Sequence, residues 1–305
     1  MKYEPAYMGL FGTGELEKRA HAARVRLEDC DLCARCCHVN RRLSIAGAAC
    51  HTGERAIVHS YGPHHGEEDP LRGRRGSGTI FFSWCSLRCT YCQNWEISQK
   101  GTGKEATPEE IASMMLELQS KGCHNINLVT PSHVVSPILA ALLIAAECGL
   151  RVPLVYNTGG FDSMEALALL DGVVDIYMPD MKYGDPEVAF EYSRIKDYVE
   201  VNRAAVREMH RQVGDLVLDE GGIAVRGLLI RHLVLPGGLS GTEEVLSFIA
   251  RAISTNTYIN LMDQYHPCYR SGENPPLSSP LTAAEYMAAV KLCSRYGLWR
   301  LDHRM

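Results

Sequence analysis

The sequence predicts an α/β fold with a cysteine-rich N-terminal extension, and three observations lead to it. From about residue 77 onward, short apolar segments rich in β-forming residues alternate with longer helical stretches, the pattern of a parallel sheet with helical crossovers. Cys85, Cys89 and Cys92 crowd into eight residues directly after the first such segment. Cys30, Cys33, Cys37 and Cys50 form a second group ahead of it.

Taken in order, the chain reads as an extension over residues 1–76 and a main domain over residues 77–305, with the boundary in the glycine-rich, charged stretch 62–78. The first strand is expected at 78–83, where Thr79, Ile80, Phe81 and Phe82 favour extended backbone. Thr107 caps a helix with Pro108 at its first position and Glu109 and Glu110 in its first turn, running to about Lys121. Strands are then expected at 125–129, 153–156, 174–178, 228–235 and 258–262. Between them lie helices near 134–148, 163–170, 198–213 and 242–254, and a last helix follows at 282–296. Asp219, Glu220, Gly221 and Gly222 mark a turn before the fifth strand. Pattern alone also fits a flavodoxin-like sheet. No repeat or low-complexity tract interrupts the series.

Bulk properties exclude several function classes. Of 305 residues, 46% are apolar and 22% charged, which is ordinary globular composition. A net charge of −5 argues against a general nucleic-acid binder. Arg72, Arg74 and Arg75 form the one notable basic cluster and read as a solvated loop. No uncharged apolar stretch reaches the roughly 20 residues that span a bilayer, and the N-terminal residues lack a signal-peptide core, so a cytoplasmic protein without membrane or nucleic-acid partners is expected. Twelve cysteines in such a chain point to metal or redox chemistry rather than disulfides. Cys36 has no evident role, and Cys123, Cys148, Cys268 and Cys293 read as small buried hydrophobes.

The spacing of Cys85, Cys89 and Cys92 is Cys-x3-Cys-x2-Cys. A [4Fe–4S] cluster normally takes four thiolates, so three leave one iron open to a small molecule. An open position implies chemistry, as it does at catalytic zinc sites. Zinc itself would want a fourth Cys or His close by, and none falls between residues 84 and 99. The loop also follows the end of a strand, where barrels carry their catalytic groups. With Tyr91 before the third cysteine, it resembles the signature of the radical S-adenosylmethionine (SAM) enzymes.

Further strand ends narrow the resemblance to enzymes similar to pyruvate formate-lyase activating enzyme, in a branch with a cysteine-bearing N-terminal extension. The fold this implies is an incomplete (β/α)6 barrel. Where activating enzymes carry a Gly-Gly-Glu run for the SAM amino group, residues 129–133 read Val-Thr-Pro-Ser-His, and Ser132 or backbone carbonyls are expected instead. Asn157 and Thr158 resemble the family's Thr-Asn-Gly turn, and Asp180 with Lys182 reproduces its Asp-x-Lys motif. Arg231 opens an Arg-x-x-Val-x-Pro-Gly segment whose arginine is implied to contact SAM, and His266 lies in a segment resembling the one near the adenosyl group. Taken singly, Lys182 is an ordinary surface lysine, Asp180 a helix cap, 157–160 a turn and His266 a structural histidine. Their placement at successive strand ends lifts them above those readings.

Cys30, Cys33, Cys37 and Cys50 follow a Cys-x2-Cys-x3-Cys-x12-Cys pattern that suits zinc or a second iron–sulfur cluster; reduced structural thiols are the remaining reading. The run His64, His65, Gly66, Glu67, Glu68 is either part of the substrate side or a solvated linker.

The implied activity is reductive cleavage of SAM at a [4Fe–4S] cluster on Cys85, Cys89 and Cys92, with Lys182, Asp180 and Arg231 holding SAM. The resulting 5′-deoxyadenosyl radical would abstract hydrogen from a substrate, first of all a glycine in a glycyl-radical-type protein, with a flavodoxin or ferredoxin as electron donor. A small-molecule substrate is the second reading. An iron–sulfur or zinc protein that only carries electrons or docks a partner is the reading from another class, and it predicts no SAM cleavage.

Overall fold

The computed structural model describes residues 3–302; residues 1–2 and 303–305 of the two expected segments lie outside the described residues. The strands are β1 (Ala56–His64), β2 (Ser77–Phe82), β3 (Lys104–Ala106), β4 (Ile126–Val129), β5 (Leu154–Thr158), β6 (Ile176–Pro179), β7 (Val217–Leu218), β8 (Ala224–Leu233) and β9 (Tyr258–Met262). All six expected strands are present. β2, β4, β5, β6, β8 and β9 run parallel, each beside the next in that order. A flavodoxin-like sheet doubles back in its strand order, and this one does not, so the mostly parallel sheet is consistent with a barrel.

Alternation along the strands separates two apolar cores. Ile80, Ile126, Leu128, Tyr156, Leu228, Ile230 and Ile259 face the helices and pack with Ile111, Met115, Leu142, Val206 and Met209. The alternate residues Val155, Ile176, Met178 and Leu229 form an inner cluster with Leu71 and Leu216. Helix Pro108–Ser120 starts where expected because Thr107 and Glu110 cap each other reciprocally. Thr282 and Glu285 do the same for Ala283–Arg295. The helix expected over 242–254 forms as Thr242–Phe248 and then widens into a π turn at Ile249–Ile253. No helix among the described residues is long and apolar enough to cross a membrane.

The N-terminal segment departs most from expectation. Instead of a linker beginning at residue 62, β1 runs to His64 and pairs antiparallel with β2, so that His64 stands opposite Ser77 and Val58 opposite Phe82. Sheet hydrogen bonds therefore cross the 76/77 boundary that the sequence suggested. β3 adds to the far edge of β1. Two helices that the sequence did not announce, Tyr7–Gly12 and Glu15–Val25, bury Tyr7, Leu16, Ala20 and Ala23 in the main core. The first is a single short helix of six residues and the second buries only Leu16 and two alanines, which leaves little periodic signal. The buried Asp175 carboxylate fixes the start of the chain by accepting from the Ala6 N–H and the Tyr3 hydroxyl, each at 2.7 Å, while also accepting from Leu154 N at 2.8 Å.

A second tie joins the segment before β2 to β8. Glu68 has no solvent exposure and receives Arg231 Nε at 2.6 Å, Arg231 Nη2 at 2.9 Å and Asn260 Nδ2 at 2.6 Å. Burial alone would raise its pKa, but the Arg231 charge and the hydrogen bonds from Arg231 and Asn260 outweigh that and hold it down at about 2, against an ordinary 4.5. A carboxyl depressed in the folded state contributes stability above its unfolded pKa and loses it as pH falls toward the folded value. The protein is therefore expected to lose stability between about pH 5 and pH 2, and Glu68→Gln, followed by urea denaturation across that range, should flatten this part of the profile while costing about 3 kcal/mol near neutrality.

Candidate active site at the C-terminal strand ends

The cysteine loop leaves β2 through Trp84, whose φ of 66° turns the chain sharply. Thr90 N–H donates to the Tyr192 carbonyl at 2.8 Å and Ser193 Oγ donates to Cys89 Sγ at 3.0 Å, pinning the loop to the last turn of helix Pro186–Ser193. Leu87, Cys89 and Tyr91 pack in a cluster with Phe161, Tyr183, Tyr198 and Tyr265. Leu87 N–H donates to Cys85 Sγ at 3.3 Å, and Cys92 Sγ lies 3.1 Å from Ser98 Oγ. Burial, with Cys89 nearby, pushes the Cys85 thiol up to about 12. Burial also raises Cys89, while the Lys182 charge pulls it the other way. Positive charge at the site is thus what a thiolate there requires.

Beside the loop, a cavity of about 400 Å³ receives at least one residue from each of the six parallel strands or the turn just after it, among them Phe81, Val129, Asn157, Asp180, Arg231 and Asn260. Cys89, Cys92, Gln93, Asn94, Lys182 and, from the N-terminal segment, His64 and Glu67 add to its polar wall. A cavity of about 550 Å³ at the opposite strand ends, lined in part by His124, Arg151 and Asp219, contains none of the cysteines.

Lys182 Nζ lies 2.6 Å from Asp180 Oδ2, as expected for residues two apart at a strand end. Burial would strip the lysine of its proton, but Asp180 and then Cys89 favour the cation and hold its pKa well above the ordinary value. Helix Tyr198–Val213 clamps this corner from behind. Tyr198 Oη accepts from Lys182 N–H at 3.1 Å and donates to Gly159 O at 2.9 Å. Asn202 Nδ2 donates to Gly160 O at 3.0 Å and Asp180 O at 2.9 Å. Gly160 has φ 74°, and a Cβ there would stand 2.2 Å from Asn202 Nδ2 and 2.3 Å from Asp180 O, so only glycine lets the β5 and β6 ends meet.

Other residues singled out from the sequence fall in three places. Asn157 lines the cavity, with Oδ1 3.4 Å from Arg231 Nη1. Ser132 and Thr158 are buried, their hydroxyls 2.9 Å apart, in a network where Asp162 accepts from Thr158 Oγ1 at 2.7 Å and from the Tyr156 hydroxyl at 2.9 Å. They brace the wall from behind instead of lining it. His266 is exposed at the rim, 3.4 Å from Gln93 Nε2. Arg231 faces the cavity but is held by Glu67 Oε2 at 2.5 Å as well as by Glu68. Neither Glu67 nor Glu68 was identified as a functional partner from sequence, since an acidic doublet carries no local sign of an arginine 163 residues away. Tyr198 and Asn202 read only as the start of a helix.

Cys30, Cys33 and Cys50 are buried, Cys37 is half-buried, and all are free thiols. Their segment touches the catalytic loop: Arg35 Nε donates to Ser86 O at 2.8 Å and Arg88 Nη2 to Ala49 O at 2.6 Å. Among the described residues, no three Cys, His, Asp or Glu side chains already stand in single-ion coordination, in this group or in the catalytic loop. The donor chemistry of the loop nevertheless fits an open-iron cluster: three thiols in one loop, a neighbouring cation and a polar cavity lined by Cys89 and Cys92.

The sequence profile of the Radical SAM superfamily matches residues 79–223, from β2 through the turn after β7. The uncharacterized protein MJ0674 of Methanocaldococcus jannaschii is 30% identical over 299 residues, spanning 93% of this chain and 79% of that one. Among solved structures, a radical SAM methyltransferase from Sphaerobacter thermophilus is similar at 12% identity and a TM-score of 0.49, over 72% of this chain and 64% of that chain. A structure of TYW1 with a lysine–pyruvate adduct bound is similar at 13% identity and a TM-score of 0.47, over 71% and 73%. With its cysteine loop inside the matched region and a relative aligned along nearly its whole length, this chain belongs to the radical SAM superfamily.

Proposed function

We propose that the protein is an activating-enzyme-like radical SAM enzyme built on an incomplete (β/α)6 barrel, with β1 added at its edge. The observation that carries this reading is the convergence of the cysteine loop and all six parallel strand ends on one polar cavity. When bound there, a [4Fe–4S] cluster and SAM supply reductive sulfonium cleavage, the route to a 5′-deoxyadenosyl radical that removes hydrogen from a substrate. Cys85, Cys89 and Cys92 hold the cluster. Lys182 would present an ammonium to the carboxylate of SAM, and Asp180 keeps that ammonium charged and in place. Asn157 and Arg231 line the adjoining wall, Ser132 and Thr158 fix the shape of the β4 and β5 ends, and His266 stands at the mouth. A flavodoxin or ferredoxin delivers the electron.

The substrate under the first reading is a glycine in a glycyl-radical-type protein. A small polar molecule is the second, favoured by His64 and Glu67, which bring an imidazole and a carboxylate from the N-terminal segment to the cavity wall.

Anaerobically reconstituted protein given SAM and dithionite is expected to release 5′-deoxyadenosine, and a Cys85→Ala, Cys89→Ala, Cys92→Ala variant to release none. A wild type with a full cluster that binds no SAM would overturn the enzyme reading in favour of electron carriage. Lys182→Met should weaken SAM binding by about tenfold to a hundredfold, the worth of one charge-assisted hydrogen bond, with iron content unchanged; equilibrium dialysis against labelled SAM measures it.

A further inference from the structure

Cys30, Cys33, Cys37 and Cys50 are brought together by turns. His38 N–H bonds back to Cys30 O at 3.0 Å, Cys36 N–H to Cys33 O at 3.0 Å, and His51 N–H to Ala48 O at 3.0 Å. Ala49 N–H donates to Cys37 Sγ at 3.5 Å, drawing the Cys50 turn onto the first three cysteines. Cys30, Cys33 and Cys50 are 4%, 5% and 3% exposed, whereas the intervening Cys36 is exposed. The burial follows the spacing pattern rather than the residue type.

An independent observation comes from Arg41, which is 3% exposed. Its Nε donates to Thr52 O at 2.8 Å, its Nη2 to Gly53 O at 3.0 Å and His133 O at 2.8 Å, and its Nη1 to Cys30 Sγ at 3.4 Å. Every partner is a carbonyl or a thiol. Among the described residues, none of the ion pairs includes Arg41, although arginine stays protonated and a buried charge is costly without a counter-charge. The ionisable groups that act on its charge are Cys50, Cys30 and Cys33. Neutral thiols cannot balance a guanidinium. Four thiolates around a divalent zinc ion, or around a [4Fe–4S] core of charge 2+, carry a net charge of −2 and can.

We propose that Cys30, Cys33, Cys37 and Cys50 hold a second metal centre, a tetrathiolate of net charge −2 with Arg41 as its buried counter-ion. Each thiol releases its proton as the metal binds. The contacts from Arg35 to Ser86 O and from Arg88 to Ala49 O set this centre against the catalytic cysteine loop. As zinc it braces that loop; as a second cluster it stands where an electron can pass to the first.

The test uses the full chain, purified anaerobically after growth with iron and zinc and then offered ferrous iron with sulfide, or zinc alone. In the Cys85→Ala, Cys89→Ala, Cys92→Ala variant, which cannot hold the catalytic cluster, elemental analysis should find either about one zinc or about four irons per chain. The second result should come with a reducible cluster signal in electron paramagnetic resonance. Adding Cys30→Ser and Cys50→Ser should abolish that metal. A folded triple variant that retains neither metal under either loading overturns the proposal, as does metal content unchanged by the two serines. Circular dichroism reports folding, and should the five-fold variant not fold, the metal content of the triple variant decides.

Discussion

A guanidinium buried at the end of a central strand has to be neutralised, and the way Arg231 is neutralised determines how the two parts of the chain fit together. Glu67 and Glu68 reach it from the segment before β2, and Asn260 from β9 completes the hydrogen bonding of Glu68. Breaking one side of such a pair leaves a charge stranded in low dielectric, which costs far more than an exposed ion pair contributes. The path of residues 65–70 follows from this, and with it the place where β1 meets β2. The same pair sits in the wall of the candidate active site, so docking of the N-terminal segment and shaping of the cavity are one event.

Behind the opposite wall, helix Tyr198–Val213 does comparable work with neutral groups. Its inner side contributes Val206 and Met209 to the main core, while its first turns offer Tyr198 and Asn202 to the backbone of residues 159, 160, 180 and 182. Packing far from the cavity is thereby converted into fixed positions for Asp180 and Lys182. A charged pair held by its own backbone neighbours needs little reorganisation when a zwitterionic ligand arrives.

What the sequence disclosed was local. The cysteine loop, the helix start at Thr107 and the apolar runs of the six parallel strands each announce themselves within a few residues. What it concealed depends on partners far along the chain. β1 contains Gly62 and Pro63 and reads as a linker, yet it is a strand because β2 supplies its hydrogen bonds. Glu67 and Glu68 read equally as the substrate side of the site or as a solvated linker until Arg231 is placed beside them. The helices before residue 26 are short, and acquire their meaning only from the helix Val135–Glu147 and neighbours against which they pack. Ser132, expected to meet the SAM amino group, is buried with its hydroxyl 2.9 Å from that of Thr158 and is not among the residues lining the cavity.

The ties of the N-terminal segment also set an order in time. Its residues leave the ribosome first, but Arg41 binds His133 O, Tyr7 binds Val152 O and Ala6 binds Asp175. At roughly 5–20 residues per second, synthesis needs on the order of ten seconds to pass from Cys50 to Asp175. Throughout that interval the four early cysteines belong to a chain that has no sheet to dock against. They are reachable then by metal donors and by oxidants alike, and closure of the sheet narrows that access to the side of the half-buried Cys37.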